Sequence, residues 1–183
     1  FERATVLDPN FARAFAARSF TSFQSAFLKY STDASAEADN TRRFAEKSVE
    51  FDPVDPFANF TLGRAHWLRG DPEAGMPWIG RSIELSPNFA QGFYAHGWGD
   101  GMAGRGAEAL QRLERAISLP PLDPFLYAMQ SACGLAYLQM EDYENAVFWA
   151  EKGARAPGPH FLIGAIASMI CEISGDEEKA VYW

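Results

Sequence analysis

The chain has 183 residues, 48% of them hydrophobic, so it is long enough and apolar enough to bury a continuous core. Its formal net charge is −8 and it has no run of lysine and arginine, which argues against a surface that binds nucleic-acid phosphates. No apolar run approaches the roughly 20 residues that a membrane-spanning helix needs, which argues against a membrane protein.

The chain is predicted to begin inside a helix. Residues 1–10 resemble the sequences at the ends of two later helices, 79–88 and 113–121. The next helix is predicted over 12–29, where four phenylalanines return to related faces at helical spacing. The first residues therefore represent the end of a helical repeat.

An insertion then interrupts the pattern. Pro9 and Pro53 are separated by ten residues more than the later repeat spacing. The polar run 30–40 is the best place for ten additional residues, as a longer loop or as an extended helix end. Helix is predicted to resume near Ala36 and to end near Phe51.

Residues 56–123 carry one pattern twice, at a spacing of 34 residues. Proline, glycine, arginine, isoleucine and leucine all recur in this register. The pattern predicts four helices joined by short turns, over 56–69, 72–85, 90–103 and 106–119. Short turns make neighbouring helices antiparallel, and one pair cannot bury its apolar face alone, so the pairs are predicted to stack.

The last part of the chain continues the pattern with a shift. Gly134 comes three residues later than the register requires, so its helix is predicted to gain most of a turn and to end near Met140. Further helices are predicted over 143–154 and 161–173. We therefore expect one array over 1–183 that is a piece of a longer chain, with repeats at 1–11 (partial), 12–55 (with the insertion), 56–89, 90–123, 124–160 and 161–183 (partial).

These residues resemble the tetratricopeptide repeat, a helix-turn-helix element of about 34 residues. The Leu-Gly-x-x-Tyr positions of that family read Leu62-Gly63-x-x-His66, His96-Gly97-x-x-Asp100 and Cys133-Gly134-x-x-Tyr137. The small residue of the second helix, where two helices cross closely, is Gly75, Ala109, Ala146 and Ala180. The resemblance implies an all-α fold, a right-handed α-solenoid of stacked antiparallel helix pairs.

A second resemblance concerns the joints between repeats. The Asp-Pro-Phe joints at 55–57 and 123–125, together with the long insertion, look like the repeat regions of bacterial adenylate cyclases and winged-helix transcriptional regulators. This resemblance implies a regulatory region of a larger bacterial protein.

In the tetratricopeptide family, the first helix of each repeat lines a concave groove. The resemblance gives this role to Arg13, Phe20, Phe60, Arg64, Trp67, Gln91, Tyr94, Trp98 and Met102. Phe57 and Phe60 suit the core as well as they suit the groove. A surface rich in aromatic rings with one cation favours an apolar peptide or helix that has a carboxylate for Arg64. The lysine and asparagine set that binds chaperone C-termini in relatives is missing.

No pattern in the chain predicts catalysis, a cofactor or a metal. Residues 99–104 match GxGxxG, but they end one predicted helix instead of following a strand, so a nucleotide site is not expected. The three histidines lie in three different repeats. No two carboxylates share an apolar stretch, as acid–base catalysis requires.

We therefore expect a non-catalytic scaffold that binds a peptide or protein segment, with neither nucleic acid nor membrane as a partner. The two cysteines fit neither a disulfide framework nor a zinc site, and no signal stretch opens the chain, which favours buried free thiols in the cytoplasm. Two alternatives stay open. One is a module that pairs with its own copies as a homo-oligomer, and the other is an enzyme or small-molecule sensor with a pocket near 30–40.

Overall fold

The computed structural model describes residues 1–119 and 124–183, and in these residues it contains helices and turns but no strand. The predicted all-α fold is thereby confirmed. No helix in the described part combines the length and apolarity needed to cross a membrane. The helices are α1 (Glu2–Leu7), α2 (Ala12–Phe27), α3 (Ala34–Phe51), α4 (Pro56–Trp67), α5 (Pro72–Leu85), α6 (Ala90–Met102), α7 (Gly106–Ser118), α8 (Leu126–Gln139), α9 (Tyr143–Ala154), α10 (Phe161–Ile173) and α11 (Glu177–Tyr182).

Most of the inserted residues form helix. α3 begins at Ala34 and has 18 residues, so the extended helix end is the form that the structure adopts. Asp33 caps this helix by accepting a hydrogen bond from the Ala36 backbone N–H at 2.9 Å. The turn before it starts at Lys29, whose φ of 55° lies in the left-handed region.

The predicted lengthening of the helix that contains Gly134 is wrong. α8 has 14 residues, against 12 in α4 and 13 in α6, so it gains only one or two residues. Pro124 and Phe125 lie in a turn, and Phe125 is the residue that precedes the first helical one. α8 therefore begins two residues later than the 34-residue register predicts, so most of the three additional residues fall before the helix. Of the joint predicted at 123–125, Asp123 lies outside the described residues.

Two compact units make up the chain, residues 1–92 and residues 93–183, and each is described by itself. In the first unit, α2 packs against α3, α4 packs against α5, and α4 also contacts α2 and α3. In the second unit, α8 packs against α7 and α9, and α10 contacts α8, α9 and α11. Short turns join the helices of each pair, so the pairs are antiparallel.

The ends of the helices explain the repeated glycines and aspartates. Gly70 and Gly104 follow α4 and α6 with φ of 75° and 77°, a left-handed conformation that glycine adopts without steric penalty. The next helix then begins after an aspartate in several places. Side-chain caps of this kind are made by Asp33, Asp55, Asp71, Asp142 and Asp176.

The small residues predicted at the helix crossings are all buried. The closest approach is between α4 and α5. A Cβ atom added to Gly75 would lie 2.2 Å from the Gly63 carbonyl oxygen, and one added to Gly63 would lie 2.5 Å from the Ile79 side chain. Two glycines facing each other therefore allow these backbones to touch.

Both cysteines are free and fully buried. Burial raises the pKa of the Cys133 thiol to about 12, and burial also raises the pKa of Cys171. Because the thiolate is the reactive form, we expect a disulfide reagent at pH 8 to modify neither cysteine in the native protein and both after unfolding in urea. Rapid native labelling of one thiol per chain, quantified by absorbance and mass spectrometry, would contradict this burial.

Candidate binding site

The first unit contains an arginine surrounded by aromatic rings. The guanidinium carbon of Arg64 lies 3.7 Å from the centre of the Phe23 ring. It also lies 5.3 Å from the Phe20 and Phe60 ring centres and 5.8 Å from that of Trp67. α2 supplies Phe20 and Phe23, and α4 supplies the other residues. We call these five residues the Arg64 cluster.

The members of the Arg64 cluster differ in exposure. Phe23 and Phe60 are each 1% exposed, so they support the surface from below. Phe60 is covered because its ring packs edge-on against Phe89 at 5.3 Å and is stacked with Phe57 at 5.9 Å. The other three side chains are half-buried and reach the surface.

The position of Arg64 is fixed by more than the rings. Its Nη2 donates a hydrogen bond to the Gln24 Oε1 at 3.0 Å, across the contact between α4 and α2. A guanidinium over aromatic faces keeps its charge and gains a favourable electrostatic contact. The Arg64 cluster therefore presents a partly desolvated cation in a fixed orientation.

Arg13 belongs to a different place in the first unit. Its guanidinium binds the buried carboxylate of Asp55, with Nε 3.3 Å from Oδ2. This hydrogen bond raises the pKa of Arg13 above its usual value. Asp55 also accepts from the Phe57 backbone N–H, so the ion pair is attached to the start of α4.

An apolar cleft of about 580 Å³ lies next to this ion pair. Its walls include Arg13, Phe20 and three further rings, Phe11, Phe57 and Phe89. The volume falls within the usual range of about 300–1,000 Å³ for ligand pockets.

Gln91, the remaining candidate in this unit, lies at the start of α6, and its side chain is half-buried.

The second unit contains Tyr94, Trp98 and Met102 on α6. The rings of Tyr94 and Trp98 lie 6.4 Å apart, edge to face, and both pack against the buried core formed by α7 and α8. Met102 is 66% exposed.

A cavity of about 190 Å³ opens beside Trp98 and Met102. We call it the α6–α8 cavity, and it is lined by Gly97, Trp98, Gly101, Met102, Ala109, Leu113, Ala132, Leu135, Ala136, Leu138 and Gln139. Gln139 Nε2 donates a hydrogen bond to the Gly101 carbonyl at 2.6 Å and so connects the two helices.

The sequence reasoning missed a charged cluster centred on Asp100, which is 4% exposed. Arg105 donates from Nε and Nη2 to Oδ1 at 3.0 and 2.8 Å, and Arg112 Nε donates to Oδ2 at 2.7 Å. His96 Nδ1 lies 3.0 Å from Oδ2. His96 and Asp100 occupy the positions where the repeat family has leucine and tyrosine. These two departures from the family pattern could have indicated a polar cluster.

The charges in this cluster shift two pKa values. Burial lowers the pKa of His96, and the charge of Arg112 lowers it further. Burial by itself would raise the pKa of Asp100, but the hydrogen bonds from Arg105 and Arg112 outweigh burial, so the pKa lies below its ordinary value. The cluster therefore contains an ionised carboxylate and a neutral imidazole near neutral pH.

The structure thus brings the predicted residues together in three places. Arg13 and Phe20 line the cleft, Phe20 also joins Phe60, Arg64 and Trp67 in the Arg64 cluster, and Tyr94, Trp98 and Met102 lie on α6 of the second unit. Most of the 30–40 segment lies at the start of α3. Within the described residues, no group of three or more His, Cys, Asp or Glu side chains is arranged to hold a metal ion.

No family model and no curated protein sequence matches the chain. Solved structures do match it. TTC0263, a thermophilic TPR protein in Thermus thermophilus, has a TM-score of 0.71 at 17% identity, over 94% of this chain and 87% of that one. PilF of Pseudomonas aeruginosa has a TM-score of 0.68 at 17% identity, over 92% and 74%. Human IFIT1, a dimer solved with m7Gppp-AAAA, has a TM-score of 0.81 at 15% identity, over 100% and 43%. At these identities the likeness shows a shared fold.

Proposed function

We propose that this chain, whose fold is that of the tetratricopeptide-repeat proteins, is a non-catalytic scaffold that binds a peptide or protein segment. The observation that carries this proposal is the placement of Phe20, Arg64 and Trp67 in the first unit. Their half-buried side chains lie together on neighbouring first helices, with Phe23 and Phe60 packed beneath them. Tyr94, Trp98 and Met102 occupy the first helix of a later repeat.

The arrangement suits binding because it is preformed. Aromatic and arginine side chains dominate the energetics of protein interfaces, and a rigid surface loses less entropy when a partner binds. The Gln24 hydrogen bond and the ring contacts already hold Arg64 in place. A partner segment would bury apolar side chains against the rings and place a carboxylate near Arg64.

We also propose the repeat boundaries and the cellular setting that the sequence suggested. The helix pairs α2–α3, α4–α5 and α8–α9 support repeats at 12–55, 56–89 and 124–160. The repeat proposed at 90–123 includes residues outside the described part. Free buried cysteines support a reducing compartment such as the cytoplasm, and the negative net charge favours a protein partner over nucleic acid. A role as the regulatory region of a larger bacterial protein is part of the same proposal.

The test uses peptides selected from a displayed library of random segments. A chain carrying both Arg64→Ala and Trp98→Ala is expected to bind the selected peptides at least about tenfold more weakly than the wild type, because each unit loses one anchor of the hot-spot type. Fluorescence polarisation of labelled peptide measures the affinity. Phe148→Ala, which removes an exposed ring from the second helix α9, is the matched control.

Trp98 also packs against the core, so its loss can affect folding as well as binding. Circular dichroism of each variant checks the fold, and Trp98→Phe keeps a ring at the position. Unchanged peptide affinity in a folded double variant would refute the assignment of these residues to the binding surface. Equal weakening by Phe148→Ala would do the same.

A further inference from the structure

We propose that the apolar cleft of the first unit binds a small amphiphilic carboxylate, whose hydrocarbon chain fills the cleft and whose ionised carboxyl group binds Arg13. This inference goes beyond the proposed function, because the occupant is a free small molecule instead of a protein segment. Its supports are the apolar walls of the cleft, its volume, and the hydrogen-bond donors of Arg13 that the protein itself does not use.

The walls of the cleft are apolar and preformed. They include Ala14 and Ala17 from α2, Phe57 from α4, and Phe89 from the turn between α5 and α6. The Phe57 and Phe89 rings pack edge to face with their centres 6.4 Å apart, which holds both in place. Phe11, which also lines the cleft, is 46% exposed and offers apolar surface that a ligand can remove from water.

The volume of the cleft suits a whole small molecule. The cleft encloses about 580 Å³, several times the cavity of about 150 Å³ that binds benzene, a molecule of six carbons. A hydrocarbon chain of about eight to twelve carbons therefore fits together with its head group. One side chain of a partner protein would leave most of this space unfilled.

The cleft offers too few polar groups for a length of polypeptide. Among the described residues that line it, Arg13 and Ser86 have polar side chains, and the others are phenylalanine, alanine and proline. A peptide that filled the cleft would bury several backbone N–H and C=O groups, and each one without a partner costs free energy. An amphiphile carries its polar atoms at one end, so a single guanidinium can satisfy them.

Arg13 has donors available for a carboxylate. Its Nε donates to the Asp55 Oδ2 and its Nη2 donates to Oδ1, which uses two of the five N–H donors of the guanidinium. Within residues 1–119 and 124–183, Nη1 makes no hydrogen bond, and the planar geometry directs its two N–H groups away from the edge that binds Asp55. The Arg13 side chain is 63% exposed, so a ligand can reach it.

The negative charge of Asp55 cancels this attraction only in part. The Asp55 side chain is 4% exposed, so a carboxylate bound at Nη1 stays closer to the guanidinium than to Asp55. Asp55 also caps α4 by accepting from the Phe57 backbone N–H, and the positive end of the helix offsets part of its charge. Asp52 is the smallest of the electrostatic influences on the pKa of Arg13. We therefore expect the hydrocarbon chain to supply most of the affinity and Arg13 to select the head group.

Octanoate is the probe for this site, used at pH 8 and below the concentration at which it forms micelles. We expect millimolar octanoate to shift the amide signals of Ala14, Ala17 and Ser86 in two-dimensional NMR spectra of the whole chain. The affinity is expected to rise about two- to fourfold for each methylene added from hexanoate to decanoate, because each added methylene is buried in the cleft. Octanamide, which is neutral, is expected to bind about threefold more weakly than octanoate. Octyltrimethylammonium, which is a cation, is expected to bind more weakly still.

Two charge variants test the role of Arg13. Asp55→Asn keeps a side chain that can cap α4 and removes the charge that competes for Arg13, so it is expected to bind octanoate at least about twofold more tightly than the wild type. Arg13→Gln combined with Asp55→Asn leaves no buried charge uncompensated, and it is expected to bind octanoate no better than octanamide. A folded double variant that still prefers octanoate would show that Arg13 does not hold the head group.

A steric variant tests the position of the hydrocarbon chain. Ser86→Leu places a larger side chain at the wall of the cleft and is expected to remove most of the octanoate shifts. Ser118→Leu, at the exposed end of α7 in the second unit, is the matched control and is expected to leave them unchanged. Circular dichroism checks that each variant is folded. Absence of shifts at the cleft, equally large shifts in the second unit, or undiminished binding by folded Ser86→Leu would overturn the proposal.

The peptides selected in the library experiment test the proposed function separately. If these peptides bind and octanoate causes no shifts at the cleft, the small-molecule proposal fails while the scaffold function stands. If no peptide binds but octanoate titrates the cleft and Ser86→Leu removes the shifts, the small-molecule site is supported and the scaffold function fails. Octanoate binding as described, with peptides that bind Ser86→Leu as tightly as the wild type, supports both.

Discussion

Replacing Gly75 by alanine is expected to lower the free energy of unfolding by about 3 kcal/mol, at the upper end of the usual effect of overpacking. The new Cβ atom would lie 2.2 Å from the Gly63 carbonyl oxygen and 3.3 Å from the His66 Cβ, so α4 and α5 must move apart. Urea unfolding followed by circular dichroism and by tryptophan fluorescence measures the change.

Gly80→Ala is the matched control for this substitution, because Gly80 lies in the same helix with no atom within 4 Å of an added Cβ. Alanine has the higher helix propensity, so this variant is expected to be more stable by up to about 1 kcal/mol. Equal stability of Gly75→Ala and the wild type would show that the crossing of α4 and α5 is looser than described.

Replacing Asp100 by asparagine is expected to lower the free energy of unfolding by about 2–3 kcal/mol. Removing one charge from a buried cluster leaves the remaining charges uncompensated, which costs about 3–5 kcal/mol when all are buried. We expect less than that here because Arg105 and Arg112 are partly exposed to solvent. Glu84→Gln, which breaks the exposed Arg81–Glu84 pair at 3.1 Å, is the control and is expected to change stability by less than about 0.5 kcal/mol.

The same cluster predicts how stability depends on pH. The pKa of His96 is lowered in the folded state. Its contribution to the free energy of unfolding is therefore fully present above the ordinary pKa of 6.5 and is lost as the pH falls below that value. Asp100 also has a lowered pKa, so its contribution is present above its ordinary pKa of 3.8 and is lost as the pH falls through the folded value.

We therefore expect the stability of the wild type to decrease on acidification in these two pH ranges. In Asp100→Asn the decrease in the lower range is expected to be smaller but still present, because the pKa values of Glu151 and Asp176 are also lowered in the folded state. Urea midpoints measured between pH 3 and 8 give the two profiles. Parallel profiles for the wild type and Asp100→Asn would mean that the carboxylate of Asp100 does not contribute as described.

The helix layout could be predicted from sequence because its signals are local. Tyr143–Ala154 and Phe161–Ile173 match the predicted bounds, since prolines, glycines and capping aspartates lie directly at the turns. The 34-residue register added the information that helices pair and stack. The length of α8 was predicted less well because a shift in register does not say on which side of a helix boundary the additional residues fall.

The candidate sites were predicted less completely, since their contacts join distant parts of the chain. The ring that lies nearest to Arg64 belongs to Phe23, and the side-chain amide that accepts a hydrogen bond from Arg64 belongs to Gln24. Both residues are in α2, whereas Arg64 is in α4. Repeat positions could place Phe60 on the first helix but could not show that Phe89 covers it. A cavity is still harder to predict, because Gly101 contributes by having no side chain.

Trp67 and Gly101 are 34 residues apart, so a bulky ring in one repeat stands where the next repeat has no side chain. Tryptophan and glycine codons can differ by a single base, and a Cβ atom at Gly101 would make only an ordinary contact with the Ala109 Cβ, at 3.9 Å. One nucleotide substitution can therefore exchange a bulky ring for an open space while the architecture persists. Under the proposed function, the surface that each repeat presents to a partner could thus change at one position at a time while the helix pairing is kept.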